Sequence, residues 1–334
     1  MEMELAQYIQ KKGTMVEWAS AVVNKKQLTA EQVQISEMMD KFGKKVANSG
    51  VINDTALSDY LQRVVQEEVY NEPSELLDVM FEQGSLGEFD AYGMYGTYKN
   101  TLLAQESAIR GGSVDKSYVD FRKLTPVSKH LQLETEVKYE DLRRDGALTI
   151  AQLTLYAIEA LQNKKFQTIF NYINGLLVSG DNVIDASASG LTIKAMDDFA
   201  GYVDDNSNSG NTLIVGLSTA LRGIKNMDGY VNFLSDISKD KLNMGCGILE
   251  AYNGVPLASI KAGKKLADGS TLLPKDRLFG FSDKIGKCDT RGYLRIYQSP
   301  NNKREVLELK FTGFEFVFAI EHLEKLAIAK LKNN

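Results

Sequence analysis

The strongest catalytic pattern in the sequence is a serine that follows a short apolar run. The segment TLIVGLSTA places Ser218 between Gly216 and Ala220, where a strand would turn into a helix. This order is typical of the G-x-S-x-G turn that lifts a nucleophilic serine above a sheet, and His322 lies downstream as a general base. Ala220 replaces the second glycine, and a serine at such a junction commonly caps the helix. We expect a cap and keep a serine hydrolase using Ser218 as a remote alternative.

Two polar segments resemble ligand-binding loops in composition only. The segment RGGSVDKS has Arg110 where a phosphate loop needs its first glycine, and the carboxylate of Asp115 before Lys116 would repel phosphate. The segment DDNSNSGN looks like a calcium loop, but the twelfth residue counted from Asp204 is Val215 instead of glutamate. We expect both segments to be solvated loops.

Histidines and cysteines are too few and too scattered to predict a metal site. The chain has His130 and His322, and Cys246 and Cys288 stand 42 residues apart, which is neither a zinc spacing nor a disulfide framework. We expect reduced, packed thiols in a cytosolic setting. The sequence predicts no catalytic residue, no cofactor, no metal site and no enzyme activity.

Composition is that of a folded globular chain. Of 334 residues, 43% are hydrophobic and 25% charged, which is ordinary for folded proteins. The net charge of −5 argues against a chain that neutralises nucleic acid as a whole. There is no apolar run of about 18 residues, so we expect no membrane span. The N-terminus begins acidic and lacks an apolar signal core, so we expect no secretion leader.

The elements that must position any site include one unusually long helix. The segment 147–177 is helical in character throughout and would span roughly 45 Å. Its apolar positions predict that Leu153 and Leu161 lie against the late strands VLELKF and FEFVFAI. We expect Gln162 to Lys165 to face outward or toward a neighbouring subunit. Just before the helix, residues 127–139 alternate between apolar and polar types, which predicts a long, half-exposed strand.

Shorter sequence patterns predict the remaining elements of the chain. The first 85 or so residues show thin apolar stripes at helical spacing, which predicts helices lying across another surface. Residues 84–100 are rich in glycine and aromatic residues, which predicts a loop or hinge. The segment AYNGVPL predicts two strands joined by an Asn-Gly turn, and Gly313 predicts a bulge inside the last long strand.

In this order the elements resemble a known architecture. The segments TLLAQESAIRGGSVDKSYVDFRKLTPVSKHLQLETEVKYEDLRR and DGALTIAQLTLYAIEALQNKKFQTIFNYI resemble the E-loop with its return strand and the spine helix of tailed-bacteriophage major capsid proteins with the Hong Kong 97-type fold. TLIVGLSTALRGIKNMDGYV and ILEAYNGVPLASI resemble units of that family's axial domain, and DTRGYLRIYQS through FEFVFAIEHLEKLA resembles the closing peripheral strands. The resemblance covers about residues 95–330.

The resemblance implies an α+β fold with four parts. They are a helical N-terminal arm at 1–94, a projecting E-loop hairpin at 95–142, a peripheral domain with the spine helix at 143–190 and 289–334, and an axial domain at 191–288. The implied function is self-assembly into the icosahedral head shell around double-stranded DNA, and the implied place is the virion, assembled in the host cytoplasm. The alternative on the same fold is an encapsulin-type bacterial compartment shell.

The resemblance also implies partners. These are further copies of the chain in hexamers and pentamers, a portal protein, a separate scaffolding protein, a decoration protein in some assemblies, and packaged double-stranded DNA bound without sequence preference; no membrane is involved. Lys116 is the lysine nearest the E-loop tip, but no asparagine or glutamate matches the family's isopeptide chemistry, so we do not carry it over. Candidates for contacts between subunits are Arg110, Asp115, Lys116, Arg122 and Lys123.

Overall fold

The computed structural model has a mixed α+β fold. It describes residues 13–49, 56–71, 75–93, 95–100, 102, 118–188, 190–224, 227, 249–261, 265–266 and 268–332. The helices are α1 (Thr14–Val23), α2 (Ala30–Ser49), α3 (Ala56–Gln66), α4 (Glu75–Met80), α5 (Tyr139–Arg144), α6 (Gly146–Leu176), α7 (Ile193–Asp205) and α8 (Ser218–Leu221). The strands are β1 (Phe81–Leu86), β2 (Gly96–Asn100), β3 (Val119–Lys123), β4 (Val127–Lys138), β5 (Val183–Asp185), β6 (Thr212–Leu217), β7 (Ala251–Tyr252), β8 (Val255–Ile260), β9 (Arg277–Ser282), β10 (Gly286–Arg291), β11 (Arg295–Asn301), β12 (Val306–Ile320) and β13 (Leu326–Lys330).

The strands form two large sheets and one separate ribbon. In the five-stranded sheet, β12 pairs with β4 along one side and with β10 and β11 along the other, while β1 joins β10 in parallel. The six-stranded sheet has the order β5-β13-β9-β6-β8-β7. Strands β2 and β3 pair only with each other among the described residues.

Helix α6 is the predicted long helix, displaced by one residue from the expected range. Its first backbone N–H groups are satisfied by two carboxylates. Asp145 accepts from the N–H of Leu148 at 3.2 Å, and Asp40 of α2 accepts from the N–H of Ala147 at 2.8 Å. Negative charge at this end is favourable because helix N-termini carry partial positive charge.

Aromatic contacts join α6 to both large sheets. The ring of Phe170 lies edge-on to Phe279 and Phe281 of β9, with centroids 5.0 and 6.1 Å apart. Two residues along the helix, the ring of Tyr172 lies 5.1 Å from Phe318 of β12. The two sheets therefore share a core through this helix.

The predicted burial is confirmed at Leu161, and the predicted outward orientation is wrong at Lys165. Leu161 is buried and Leu153 half-buried in the core that includes the late strands. Lys165 does not face outward: it is buried, and its Nζ lies 3.3 Å from Thr290 Oγ1 and over the ring of Phe316. The aliphatic part of the lysine side chain is long enough to cover apolar surface. The prediction from the sequence considered only its charge.

The N-terminal helices lie across another surface, as their thin stripes predicted, and that surface is α6. Trp18 of α1 and Met39 of α2 are fully buried in the core that contains α6. The indole N–H of Trp18 donates to Ser36 Oγ at 2.9 Å, which ties α1 to α2. Where α2 passes the start of α6, Gly43 faces Gly146, and an added Cβ on Gly43 would stand 2.8 Å from the Cα of Gly146.

Three further predictions on local structure can be compared with the structure. The Asn-Gly turn is present between β7 and β8, with φ of 46° at Asn253 and 88° at Gly254, as a tight hairpin turn requires. The register of β12 against β4 shifts between Phe311 and Phe314, which confirms the bulge at Gly313. The loop predicted at 84–100 is wrong in part, because β1 runs to Leu86 and pairs with a strand 200 residues later.

No helix within the described ranges is both long and apolar enough to cross a membrane.

The contact between α2 and α6 gives a stability prediction. We expect Gly43→Ala to lower the free energy of unfolding by about 1–3 kcal/mol, because the new methyl group overlaps the backbone of the neighbouring helix. Gly175→Ala in α6 is the matched control, since nothing lies within 4 Å of its added Cβ. It should leave stability unchanged or raise it by up to about 1 kcal/mol. Chemical denaturation of both variants measures the difference, and equal values would contradict the close contact.

Candidate assembly surface

The charged residues predicted for contacts between subunits fall in two groups. Arg110, Asp115 and Lys116 lie outside the described residues. Arg122 and Lys123 are exposed on β3, at the base of the hairpin. Their role between subunits stays a prediction.

The ribbon of β2 and β3 exposes apolar side chains to solvent. The pairing runs from Gly96 opposite Lys123 to Asn100 opposite Val119. Tyr98 is 72% exposed although its ring lies 5.1 Å from that of Phe121. The other large apolar side chains exposed at the ribbon are Leu102, Tyr118 and Val119. An isolated two-stranded ribbon is marginally stable in water, so this surface is suited to burial against another one.

The chain reaches this ribbon along a polar strap, which we define as residues 87–93 with 95 and 96. Arg291 of β10 holds the strap at several points. One guanidinium nitrogen, Nη2, donates to the backbone carbonyls of Glu88 and Asp90, both at 3.0 Å, and the group stacks 4.7 Å above the ring of Tyr92. Arg295 adds two bonds to the carboxylate of Glu88, at 2.6 and 2.7 Å. The planar guanidinium of Arg291 can stack on an aromatic ring while it donates its hydrogen bonds, which a lysine ammonium cannot do.

Three carboxylates on the sheet accept hydrogen bonds from the far end of the strap. Glu315 accepts from the hydroxyl of Tyr92 at 3.2 Å, and Glu321 accepts from the backbone N–H of Gly96 at 2.7 Å. Asp289 accepts from the hydroxyl of Tyr95. Burial, reinforced by Asp289, raises the pKa of Tyr95 well above its ordinary value, so this hydroxyl stays protonated and donates. The root of the ribbon is thus fixed to the sheet.

Glu315 is the centre of this polar cluster. Besides Tyr92, it accepts from Ser128 Oγ at 2.6 Å, and it lies 3.7 Å from Arg291 and 3.8 Å from His130. Sequence reasoning missed the cluster. Its members come from the strap, β4, β10 and β12, which are distant in sequence, and the one local signal was a glutamate at a position between inward-facing phenylalanines.

The structure does not bring Ser218 and His322 together. Leu213 near the start of β6 aligns with Phe281 of β9, which in turn aligns with Leu326 of β13. His322 precedes Leu326 and lies at this end of the sheet. Ser218 lies five residues beyond Leu213, about 16 Å away at the other end. A triad of these residues is therefore absent.

The segment DDNSNSGN binds a carboxylate of its own chain. Asp283, in the left-handed region at φ 60°, accepts from the N–H of Asn208 at 2.8 Å and from the hydroxyls of Ser207 and Ser209. Lys325 Nζ lies 3.4 Å from the same carboxylate. Burial acts to raise the pKa of Asp283, but these hydrogen bonds outweigh it and hold the pKa well below its ordinary value. The loop directs hydrogen-bond donors toward the carboxylate of Asp283, whereas a calcium loop directs oxygen ligands toward the ion.

Cys288 is buried, as predicted for a packed thiol, and burial raises its pKa. Cys246 lies outside the described residues. Within the ranges that the structure describes, no group of three histidine, cysteine or acidic side chains could hold a metal ion.

Comparisons with solved structures identify the fold. A structure from Microbacterium phage Oxtober96 has a TM-score of 0.52 and 11% identity, and the match covers 78% of this chain and 91% of that one. A structure from Gordonia phage Cozz has a TM-score of 0.53 at 12% identity, covering 78% and 87%. The capsid structure of Cyanophage P-SCSP1u has a TM-score of 0.50 at 11% identity, covering 75% and 87%. The chain has a phage capsid fold.

This fold confirms the α+β capsid fold that the resemblance implied, while the division into four parts stays a prediction. At such low identity, the likeness concerns the fold and not the residues of a site. No family model matches the sequence, and no curated protein matches it either.

The strap gives a prediction at Arg291. We expect Arg291→Lys to lower the free energy of unfolding by about 2 kcal/mol, since a lysine cannot bind two carbonyls and Glu315 while stacking on Tyr92. Hydrogen exchange of the strap amides should speed up in the variant. The control is Arg304→Lys, whose bidentate partner Glu136 is on the exposed surface. That change should cost less than about 1 kcal/mol. Equal losses in the two variants would contradict a special role for Arg291.

Asp283 gives a pH-dependent prediction. Because its pKa is lowered in the folded state, its stabilisation is present above the unfolded pKa of about 4 and is lost as pH falls toward the folded pKa. We expect Asp283→Asn to cost about 2 kcal/mol at neutral pH, and this gap should shrink below about pH 4. Asparagine keeps the preference for the left-handed backbone, so the loss reports the charge.

The control for this change is Asp205→Asn at the exposed end of α7, which should change stability by less than about 1 kcal/mol. Thermal melts from pH 2 to 8 measure both variants. A gap at Asp283 that stays constant with pH would show that the carboxylate charge does not stabilise the loop.

Proposed function

We propose that this chain is the major capsid protein of a tailed bacteriophage. In this proposal, copies of the chain assemble into hexamers and pentamers that close an icosahedral head around double-stranded DNA. The phage capsid fold carries the proposal. The protein would then be a virion component, assembled in the host cytoplasm, without enzymatic activity of its own.

The exposed ribbon supports a role in which copies cover one another. Tyr98 and Val119 are more than half exposed, while the strap that leads to them is fixed by many hydrogen bonds. A ribbon that is fixed at its root and exposes apolar side chains is suited to contacting a neighbouring subunit. In a closed symmetric shell, each such contact is repeated at every equivalent position, so weak contacts add up.

The charges of the ribbon fit the same proposal. Arg122 and Lys123 are exposed on β3. We propose that they pair with acidic groups of a neighbouring copy, as do Arg110 and Lys116, and that Asp115 pairs with a basic group. The net charge of −5 suits a container, because a strongly basic lining would hold packaged DNA in place. A portal protein, a separate scaffolding protein and a decoration protein are the partners that such a shell would use.

The division of the chain belongs to this proposal as well. The arm would comprise 1–94, the E-loop 95–142, the peripheral domain 143–190 and 289–334, and the axial domain 191–288.

Electron microscopy of the expressed chain tests the proposal. We expect closed shells with six-fold and five-fold capsomers, formed alone or with a scaffolding protein. Particles made during infection should hold nuclease-protected double-stranded DNA, whereas protein cargo would favour the compartment alternative. A chain that stays a dispersed monomer at high concentration under both conditions would refute shell formation.

A variant pair tests the ribbon within this experiment. Tyr98→Ser combined with Val119→Ser should reduce the yield of shells at least tenfold, because the apolar surface that a neighbour would bury is lost. Thermal stability should be unchanged, since both side chains are exposed. Lys99→Ser, on the other face of the same strand, is the control and should assemble normally. Normal assembly of the double variant would exclude the ribbon as a contact.

A further inference from the structure

Strand β4 forms a long edge of the five-stranded sheet. It pairs with β12 along its whole length, from Val127 opposite Phe318 to Lys138 opposite Val306. No described strand pairs with its other side. The twelve residues of β4 span about 40 Å and contain no proline. The register shift between β4 and β12 is taken up by one extra residue of β12, so β4 itself stays regular. An edge of this length presents a row of backbone donors and acceptors that a further strand could bind.

The side of β4 that faces the core is incompletely covered. Val127, Leu131 and Leu133 pack against the core, yet all three remain half-exposed. Only Val137 on this side is buried. A strand added next to β4, with apolar side chains on the same side, would complete their burial.

The sequence of β4 fits a second copy of itself. The segment VSKHLQLETEV has a valine at each end and a leucine on each side of Gln132. Two antiparallel copies centred on this residue would place valine opposite valine and leucine opposite leucine on the core side, and His130 opposite Glu134 on the outer side. The facing pairs would be Val127 with Val137, Ser128 with Glu136, Lys129 with Thr135, His130 with Glu134, and Leu131 with Leu133, each occurring twice.

Other symmetric registers fit less well. Moving the centre to Leu133 places Lys129 opposite Val137 and separates the leucine pairs. Moving it to Glu134 brings two carboxylates face to face, which is destabilising. The matched valines and leucines, without two carboxylates face to face, therefore favour the register about Gln132.

We propose that two copies of this chain pair through the free edges of β4, antiparallel and centred on Gln132. The two five-stranded sheets would then continue into one across a two-fold axis. The contact goes beyond the proposed capsid function and does not depend on it, because a dimer needs no closed shell.

Cysteine cross-linking tests this pairing in the full-length chain. In the proposed register, residue 132 faces itself, with Cβ atoms about 5 Å apart, which is close enough for a disulfide after small shifts. We expect Gln132→Cys to form a linked dimer under mild oxidation, at least tenfold faster than Ser128→Cys. Ser128 would lie about 26 Å from its own copy, although it is on the same strand and the same side. The unaltered chain controls for Cys246 and Cys288.

A mixed experiment fixes the register. His130→Cys and Glu134→Cys chains should link to each other when mixed, and each alone should link slowly. Rates for Gln132→Cys that equal those for Ser128→Cys would overturn the proposal, as would links mapped to other cysteines. Shells that form without the disulfide link would contradict this contact and leave the proposed capsid function intact. Linked dimers that never form shells would support the contact and contradict the proposed capsid function.

Discussion

The structure depends on the aromatic contacts that α6 makes with two sheets at once. Phe170 packs on β9 and Tyr172 packs on β12, so two residues within one helical turn belong to the cores of both sheets. Burial of large aromatic side chains is among the strongest stabilising terms in a core. Because both sheets share this helix, their relative position is set by side-chain packing instead of by a flexible linker. The N-terminal helices then have a fixed surface on which to lie.

The polar strap complements this apolar core. On the face of β10 and β12 that is turned away from α6, carboxylates and Arg291 bind the backbone and tyrosines of the strap. Such bonds are directional, and they fix the point from which the ribbon leaves the sheet. The same β12 strand thus offers phenylalanines to α6 on one face and Glu315 to the strap on the other. The apolar face provides most of the stabilisation, and the polar face provides the direction of the ribbon.

Elements with a strong local pattern could be predicted from the sequence. The long helix, the alternating strand β4, the Asn-Gly turn and the bulge at Gly313 each follow from spacing or from a residue with a special backbone preference. What failed depended on partners far away in the chain. Lys165 was expected outside because its charge outweighed its long aliphatic stem, and β1 was missed because β10 supplies its hydrogen bonds. The strap contacts were invisible for the same reason, since Arg291 meets residues 200 positions earlier.

The parallel pairing of β1 with β10 has a consequence for synthesis of the chain. Phe81 aligns with Gly286, so the five-stranded sheet cannot close until the chain has been synthesised past β10 and β12. Contacts this distant in sequence also form slowly, because a long loop must be ordered before they add stability. A nascent chain therefore lacks the sheet on which the strap and ribbon are fixed. Only a chain synthesised past β12 can present its ribbon in the folded position, so association through the ribbon must follow synthesis of this strand.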